Sequence, residues 1–530
     1  MQDRRAREEA ELRFGPQQRW RRRRACAAAA SAALSGAVAL APVVPLVPRS
    51  ASRERRLLRL DGDRDNRQFA FMVYRRRPAA ESNDTTLTPA YARRELAGSV
   101  PAFRLAETGM EADAAYDLIH DELMLDGQAR LNLATFVTTW MEPEAERLMA
   151  ESFDKNLIDK DEYPAAAKIE ERCVNILSEL YHAPESGVGA SAIGSSEAVM
   201  LAGMAFKRKW RERREAAGKD ASRPNLILGN NVQVVWEKFC RYWEVEPRYI
   251  KMAPGRYTID GDEVRARIDE NTIGVVGILG VTYTGAYEPI EEIHEALVAH
   301  REATGIEVPL HVDAASGGFV APFLQPDLRW DFRLPLVKSI NVSGHKYGLV
   351  YPGVGWVLWR DHAELPEDLI FHVNYLGGDL PTFTLNFSKP ANQVIAQYYN
   401  FLRLGHEGYR RVQQTSQDVA TFLSDSIAEM GPFELLSDGR DLPVFAFRSR
   451  DEDKLSVYAL SDRLRERGWL VPAYSMPPDV EDLKVLRVVV REGLSHDLAE
   501  SLLESLAWAV EREGGAVAAQ RGAGNGAIRC

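Results

Sequence analysis

The chain has 530 residues, 45% of them hydrophobic, and a formal net charge of −11. That length supports two or more domains with ample core, and a mildly acidic balance without a basic, aromatic-interleaved stripe argues against nucleic acid as the main partner. The four cysteines, Cys26, Cys173, Cys240 and Cys530, are scattered with no C-x-x-C pair. Neither a disulfide framework nor a zinc site is therefore expected, and a reducing compartment is the default.

The first 85 residues differ from the rest of the chain. Arg21-Arg22-Arg23-Arg24 precedes an uncharged, alanine-rich run from Ala25 to Val47, and no acidic residue falls between Leu12 and Arg53. A basic start, an apolar stretch and small residues such as Ala37-Val38-Ala39 have the pattern of a targeting segment. Asp3, Glu8, Glu9 and Glu11 fit that pattern poorly, and a disordered extension or a misplaced start codon are the alternatives. Pro42, Pro45 and Pro48 interrupt the run and argue against a stable membrane span. No internal repeat is visible.

From about residue 86 the chain reads as continuous α/β. Ser195-Ser196-Glu197-Ala198 opens an apolar-periodic stretch that runs into Lys207-Arg208-Lys209-Trp210. This predicts a helix with a serine at its cap and a basic last turn. With Ile193-Gly194 ahead of it, the same helix start can cradle a phosphate, although Ser-Ser is also simply a good cap. Thr272 to Val281 reads as a buried strand leading into Thr282, and Glu291 to His300 as a helix. The strand Val308 to Val312 ends in Asp313-Ala314-Ala315-Ser316-Gly317-Gly318, and Leu336 to Val342 runs into Ser343-Gly344-His345-Lys346. Gly353 to Trp359 reads as a further strand. Such alternation implies a mostly parallel sheet covered on both faces, with ligands beyond the strand carboxyl ends, where Thr282, Asp313 and Lys346 fall.

A carboxylate and a lysine at the ends of two strands suit pyridoxal phosphate. The lysine can form a Schiff base with the aldehyde, and the aspartate can hold the pyridine nitrogen protonated so that the ring accepts electrons. Either motif alone could be an ordinary loop exit; the pair, in this order, is far more specific. Carbanion chemistry on an amino acid is the leading reading.

From about Ile119 to about Glu513 the chain resembles the glutamate decarboxylases of bacterial and plant type, group II pyridoxal phosphate decarboxylases. The segments that carry the likeness include Asp121-Glu122-Leu123-Met124-Leu125-Asp126-Gly127, Asn132-Leu133-Ala134-Thr135-Phe136, Asn156-Leu157-Ile158-Asp159, Glu162-Tyr163-Pro164, Ile193 to Ala198, His311 to Phe319, Trp330 to Pro335, and Ser343 to Gly348. The resemblance implies an α/β protein with the pyridoxal phosphate-dependent transferase fold of aspartate aminotransferase type. That fold has a mostly parallel sheet in a large domain and a smaller α+β C-terminal domain. The expected organisation is an extension (1–85), an N-terminal arm (86–127), a large cofactor-binding domain (128–415), a small domain (416–513) and a flexible tail (514–530).

The resemblance also implies roles. Lys346 carries the cofactor, Asp313 partners the ring nitrogen, and Ala315 packs one ring face. Gln233 matches the glutamine of the glutamate branch on the other face, where many relatives have histidine. Ser195, Ser196, Ser343 and His345 belong to the phosphate and lysine surroundings, and Thr282 sits by the cofactor's polar edge. Ser388 resembles the serine that a neighbouring subunit contributes, which implies a homodimer or a hexamer of dimers with shared active sites. Arg487 resembles the arginine that takes the substrate α-carboxylate. Thr135, the backbone near Phe136, and Asn156 with Asp159 from the partner would hold the distal carboxylate of glutamate. An aspartate facing a carboxylate must share a proton with it, so Asp159 would favour binding at acidic pH. Decarboxylation of L-glutamate to 4-aminobutanoate is thus expected. A decarboxylase of aspartate or cysteine sulfinate is the alternative, and a non-catalytic scaffold the third reading. Calmodulin control is not expected, because Gly514 to Cys530 lacks the basic, tryptophan-containing helix of plant members. A cytoplasmic location is expected, with organellar targeting by the extension as the alternative.

Overall fold

Seven short runs pair into one sheet. They are β1 (Val188–Ala192), β2 (Asn225–Gly229), β3 (Glu246–Ile250), β4 (Thr272–Ile278), β5 (Leu310–Asp313), β6 (Val337–Val342) and β7 (Gly355–Trp359). Their spatial order is β1-β7-β6-β5-β4-β2-β3, with β3, β2, β4, β5 and β6 mutually parallel and β7 antiparallel to both neighbours. The structure, a computed structural model, describes residues 104–374 and 380–516. The arginine-rich extension through residue 85, Cys26, Cys530 and the end of the tail lie outside the described residues. Two compact units divide the chain at residues 110 and 111, and the elements named here belong to the second.

β4 is buried along its whole length, as the apolar run Thr272 to Val281 predicts, although the strand stops at Ile278. Both faces of the sheet are covered. Leu226 and Leu228 of β2 pack with Phe206 and Trp210 of α2 (Ser195–Ala216) and with Trp236 and Phe239 of α3 (Val234–Tyr242). Ile227, between them, joins the opposite core, with Cys173 and Leu177 of α1 (Pro164–Leu180) and Ile290, Ile293 and Leu297 of α4 (Ile290–Thr304). Alternation along a strand that is apolar on both sides is what a two-faced sheet requires.

A second core lies against an antiparallel sheet of order β8-β9-β11-β10, formed by β8 (Phe433–Leu435), β9 (Val444–Ser449), β10 (Ala473–Ser475) and β11 (Lys484–Val489). Leu460 and Leu464 of α6 (Val457–Glu466) and Leu502, Leu503 and Leu506 of α7 (His496–Arg512) fill it. The long helix α5 (Asn392–Glu429) serves both cores: Val394 and Ala396 enter the first, and Val419, Leu423 and Ile427 the second. It kinks at Gly405, whose φ of 58° and ψ of −171° a side chain would oppose.

Two expectations need correcting: α2 does not end on Lys207 to Trp210 but runs on to Ala216, with Arg213 and Arg214 in its last turn. The cap of α2 is Gly194, not a serine, and no side chain bonds to the helix end from that position. Glu197 Oε2 instead accepts from the Ile193 N–H at 2.8 Å, so Ser195 and Ser196 begin the helix itself. Among the described residues no helix is long and apolar enough to cross a membrane.

The close seating of α2 on β4 depends on Gly274. A Cβ there would lie 2.5 Å from Phe206 Cδ2 and 3.2 Å from the Pro309 carbonyl oxygen. Gly274→Ala is expected to cost about 1–3 kcal/mol by overpacking. Calorimetry should show a lower melting temperature, with cofactor content per folded chain unchanged.

Candidate active site

β4, β5 and β6 run the same way, so their carboxyl ends open side by side. The register sets Ile278 opposite Asp313 and Asp313 opposite Asn341. Beyond these ends lies a cavity of about 490 Å³, within the size range of small-molecule sites. Ser195, Ser196, Gln233, Thr282, Asp313, Ala315, Ser343, His345 and Lys346 all line it, as do Asn231, Gly280 and Ser316.

The lysine loop is fixed from several sides. Gly344 abuts the buried Gln397, leaving no room for a Cβ. The Thr138 N–H donates to the His345 carbonyl at 2.9 Å, and Thr138 Oγ1 to the Lys346 carbonyl at 2.7 Å. After the lysine the chain turns through Leu349 in the left-handed region (φ 64°), a conformation held by Asn400 Nδ2 donating to its carbonyl at 2.6 Å. Lys346 Nζ reaches Ser316 Oγ at 3.2 Å and lies 5.2 Å from the centre of the Phe136 ring. Burial lowers its pKa to about 8, Asp313 opposing the shift and Arg487 adding to it.

Asp313 is held by three donors. Trp236 Nε1 reaches Oδ2 at 2.9 Å, while Asn341 Nδ2 and the Ala315 N–H reach Oδ1 at 3.0 and 3.2 Å. Across the cavity, the first turn of α2 presents backbone N–H groups without partners inside the helix. Ser195 Oγ and Ser343 Oγ meet at 2.6 Å. The His345 ring lies against Gly194 and accepts from the Gly353 N–H at Nδ1, 3.3 Å away. Burial, reinforced by Lys346, pushes the pKa of His345 down to about 4, so the ring is neutral at physiological pH. Gly355 keeps this corner open: a Cβ there would lie 2.5 Å from the Gly194 carbonyl carbon and 2.7 Å from Ser195 N. The first-turn carboxylate Glu197 is occupied on both oxygens, by the N–H groups of Ile193 and Asn386. A dianionic phosphate therefore fits the helix end, an aldehyde fits Lys346, and a protonated ring nitrogen fits Asp313.

The other expected residues fall in two groups. Phe136 and Arg487 lie together on the lysine side, outside the lining of the cavity itself, with Arg487 Cζ 4.9 Å from the Phe136 ring centre. Arg487 donates from Nη1 to the Thr282 carbonyl (2.8 Å) and from Nη2 to the Ala134 carbonyl (2.6 Å). Its Nε is buried with no hydrogen-bond partner among the described residues. Burial lowers the pKa of its guanidinium. Thr135 Oγ1 accepts from the Val137 N–H at 3.1 Å within the same loop. Asn156 and Ser388 form the second group, paired at 3.3 Å, with Asp159 donating its N–H to the Asn156 carbonyl at 3.2 Å. None of these three lines the cavity of its own chain.

Sequence reasoning missed Thr138, Trp236, Asn341 and the pair Arg491–Glu492. Asn341 carried a usable signal, as a carboxamide one residue before the end of the strand that leads to the lysine. Arg491 donates to the Val137 and Asn132 carbonyls at 2.9 and 2.8 Å, and Glu492 Oε1 accepts from the Thr139 N–H at 3.3 Å. These bonds clamp the loop of residues 132–139.

A strand-end lysine, a strand-end carboxylate and a helix-end phosphate cradle on this sheet define the lysine-bearing pyridoxal phosphate enzymes. Residues 107–450 match the pyridoxal-dependent decarboxylase conserved domain. Glutamate decarboxylase of Solanum lycopersicum is 53% identical over 428 residues, which cover 80% of this chain and 85% of that protein. Glutamate decarboxylase of Aliivibrio fischeri is 52% identical over 433 residues, covering 81% and 93%. The solved Lactobacillus brevis glutamate decarboxylase superimposes with a TM-score of 0.78 at 47% identity, over 80% of this chain and 98% of that one. The chain belongs to the pyridoxal-dependent decarboxylase family, among the glutamate decarboxylases.

Burial pushes the Glu492 carboxyl up to about 7, Arg491 countering part of the shift. The folded protein therefore keeps a proton on Glu492 that the unfolded chain loses from about pH 4.5, and stability falls as pH climbs through that window. Glu492→Gln cannot titrate. Melting curves from pH 4.5 to 7.5 should show the variant gaining on the parent as pH rises, and parallel curves would rule the effect out.

Proposed function

We propose that this chain decarboxylates L-glutamate, releasing CO2 and 4-aminobutanoate, with pyridoxal phosphate as its cofactor. The observation that carries this reading is roughly half-identity to glutamate decarboxylases across 85% to 93% of their length, joined to an intact lysine and carboxylate in one cavity. Pyridoxal phosphate, when bound, supplies a protonated ring that takes up the electron pair left at Cα as CO2 departs.

The residues divide that work. Lys346 is the nucleophile for the cofactor aldehyde: with its pKa near 8 a useful fraction of Nζ is neutral at physiological pH, and the neutral amine is the attacking form. Asp313 would hold the protonated ring nitrogen. Ser195, Ser196, Ser343 and His345 would hold the phosphate with the α2 N-terminus, Gln233 and Ala315 would cover the two ring faces, and Thr282 would meet the polar edge. Arg487 takes the α-carboxylate with N–H groups it has not committed, Nε–H among them. Thr135 and the backbone at Phe136 receive the distal carboxylate. That carboxylate needs donors if it is to be buried.

Asn156, Asp159 and Ser388 act in the neighbouring subunit of a homodimer. The likeness of these segments to those of the glutamate decarboxylases supports this, and Asn156 and Ser388 lie together, 3.3 Å apart. The working location is the cytoplasm.

Purified protein should show a cofactor absorption band that changes on adding L-glutamate, with 4-aminobutanoate accumulating. Lys346→Ala should lose both the covalently held cofactor and the product. Faster turnover of aspartate or cysteine sulfinate than of glutamate would overturn the substrate assignment. Shared sites predict complementation. Mixing inactive Lys346→Ala with an inactive Asn156→Ala/Asp159→Ala double variant should restore about a quarter of parental activity, since half of randomly mixed dimers carry one intact site of two. No recovery after verified subunit exchange would assign each site to a single chain.

A further inference from the structure

Behind Asp313 lies a chain of buried polar groups that the reaction itself does not touch. Asn341, His311 and Ser339 are fully buried, and Trp236 nearly so. Asn341 Nδ2 donates to Asp313 Oδ1 at 3.0 Å, which leaves Asn341 Oδ1 turned to His311 Nε2 at 2.7 Å. His311 Nδ1 meets Ser339 Oγ at 2.8 Å. From the other side, Trp236 Nε1 donates to Asp313 Oδ2 at 2.9 Å, and the Trp236 ring packs edge-on against His311, 5.1 Å between centres.

The direction of each bond follows from donor inventories. A carboxylate only accepts, so the carboxamide must present its NH₂ to Asp313 and its oxygen to His311. That oxygen only accepts, so His311 carries its proton on Nε2. Burial lowers the pKa of His311 to about 4, which favours the neutral ring. In that neutral ring Nδ1 is the acceptor and the Ser339 hydroxyl donates to it, so one tautomer is selected. An indole N–H is likewise a donor alone. Asp313 thus receives N–H donors on both oxygens, two on Oδ1 and one on Oδ2.

We propose that Trp236 and Asn341, the latter oriented by neutral His311, are positioning residues that keep Asp313 an ionised acceptor, so that the proton it shares with the cofactor stays on the ring nitrogen. A proton on Oδ1 would have to displace one of its two donors, and one on Oδ2 would compete with the indole. The inference rests on Asp313 facing the cofactor ring. It also links two features of one helix: α3 begins after Gln233, whose Oε1 accepts from the Val235 N–H at 2.7 Å, and Trp236 follows within the first turn. A single helix start therefore aligns both the residue over the ring face and the donor to Asp313.

The test uses full-length holoenzyme loaded with cofactor labelled with nitrogen-15 in the ring. In the parent, the ring nitrogen should resonate as protonated, and histidine nitrogen signals should show His311 neutral with Nε2 protonated. Trp236→Phe removes the donor and keeps an aromatic ring; Asn341→Leu removes the carboxamide at similar volume. Each should shift the ring-nitrogen signal toward the unprotonated value and lower kcat about tenfold, the worth of one hydrogen bond to a charged group, with KM for glutamate little changed. An unmoved ring-nitrogen signal in a folded, loaded variant would overturn the proposal, as would His311 protonated on Nδ1. Should one variant fail to fold, the other and the parental histidine spectrum still decide. An unprotonated ring nitrogen in the parent would instead remove the role given to Asp313.

Discussion

The parallel pairing of β4, β5 and β6 is the constraint on which the rest depends. Because side chains in register on neighbouring parallel strands point the same way, pairing Asp313 with Asn341 puts a carboxylate beside a carboxamide without any loop having to arrange it. The same pairing ends β6 at Val342, so that the next four residues carry Lys346 to the mouth of the cavity. A one-residue slip would turn Asp313 to the opposite face. Full burial of β4, β5 and most of β6 makes such a slip costly.

The second requirement is a roof, and it comes from chain segments far apart in sequence. The loop of residues 132–139 has little structure of its own, yet it carries Phe136 to the lysine and ties Thr138 to the lysine backbone. Arg487 and Arg491 satisfy its carbonyls, and the Val489 N–H donates to the Leu133 carbonyl at 3.0 Å. Each arginine serves as a multi-pronged donor where a lysine would offer only a point charge. The small sheet is thus part of the site wall.

Much of this was legible in the sequence, and the reasons are physical. Buried strands announce themselves as continuous apolar runs, and a lysine and an aspartate at two strand ends are unusual enough to name a cofactor. The α2 start was recognised but its cap was misassigned, because Ser-Ser satisfies the cap rule and the phosphate-cradle rule equally well. Trp236 was invisible: an indole inside an amphipathic helix looks like ordinary core until a carboxylate appears at its N–H. Arg491 and Glu492 likewise have meaning only through a loop more than 350 residues earlier, a relation that no local pattern encodes.

The long helix α5 braces the lysine loop from behind. Gln397 Nε2 and Tyr409 Oη donate to the Gly348 carbonyl, Asn400 Nδ2 to that of Leu349, and Gln413 Nε2 to that of Tyr347. Two of these four residues precede the bend at Gly405 and two follow it, and the same helix then enters the second hydrophobic core. The carbonyls they satisfy are buried, and would be costly orphans without them. The lysine loop is therefore held by a girder anchored at both ends, which sets a minimum length for the fold around it. A chain ending at the conserved decarboxylase segment would keep every residue of the cofactor cavity yet lose the far anchorage of the helix that keeps its lysine in line.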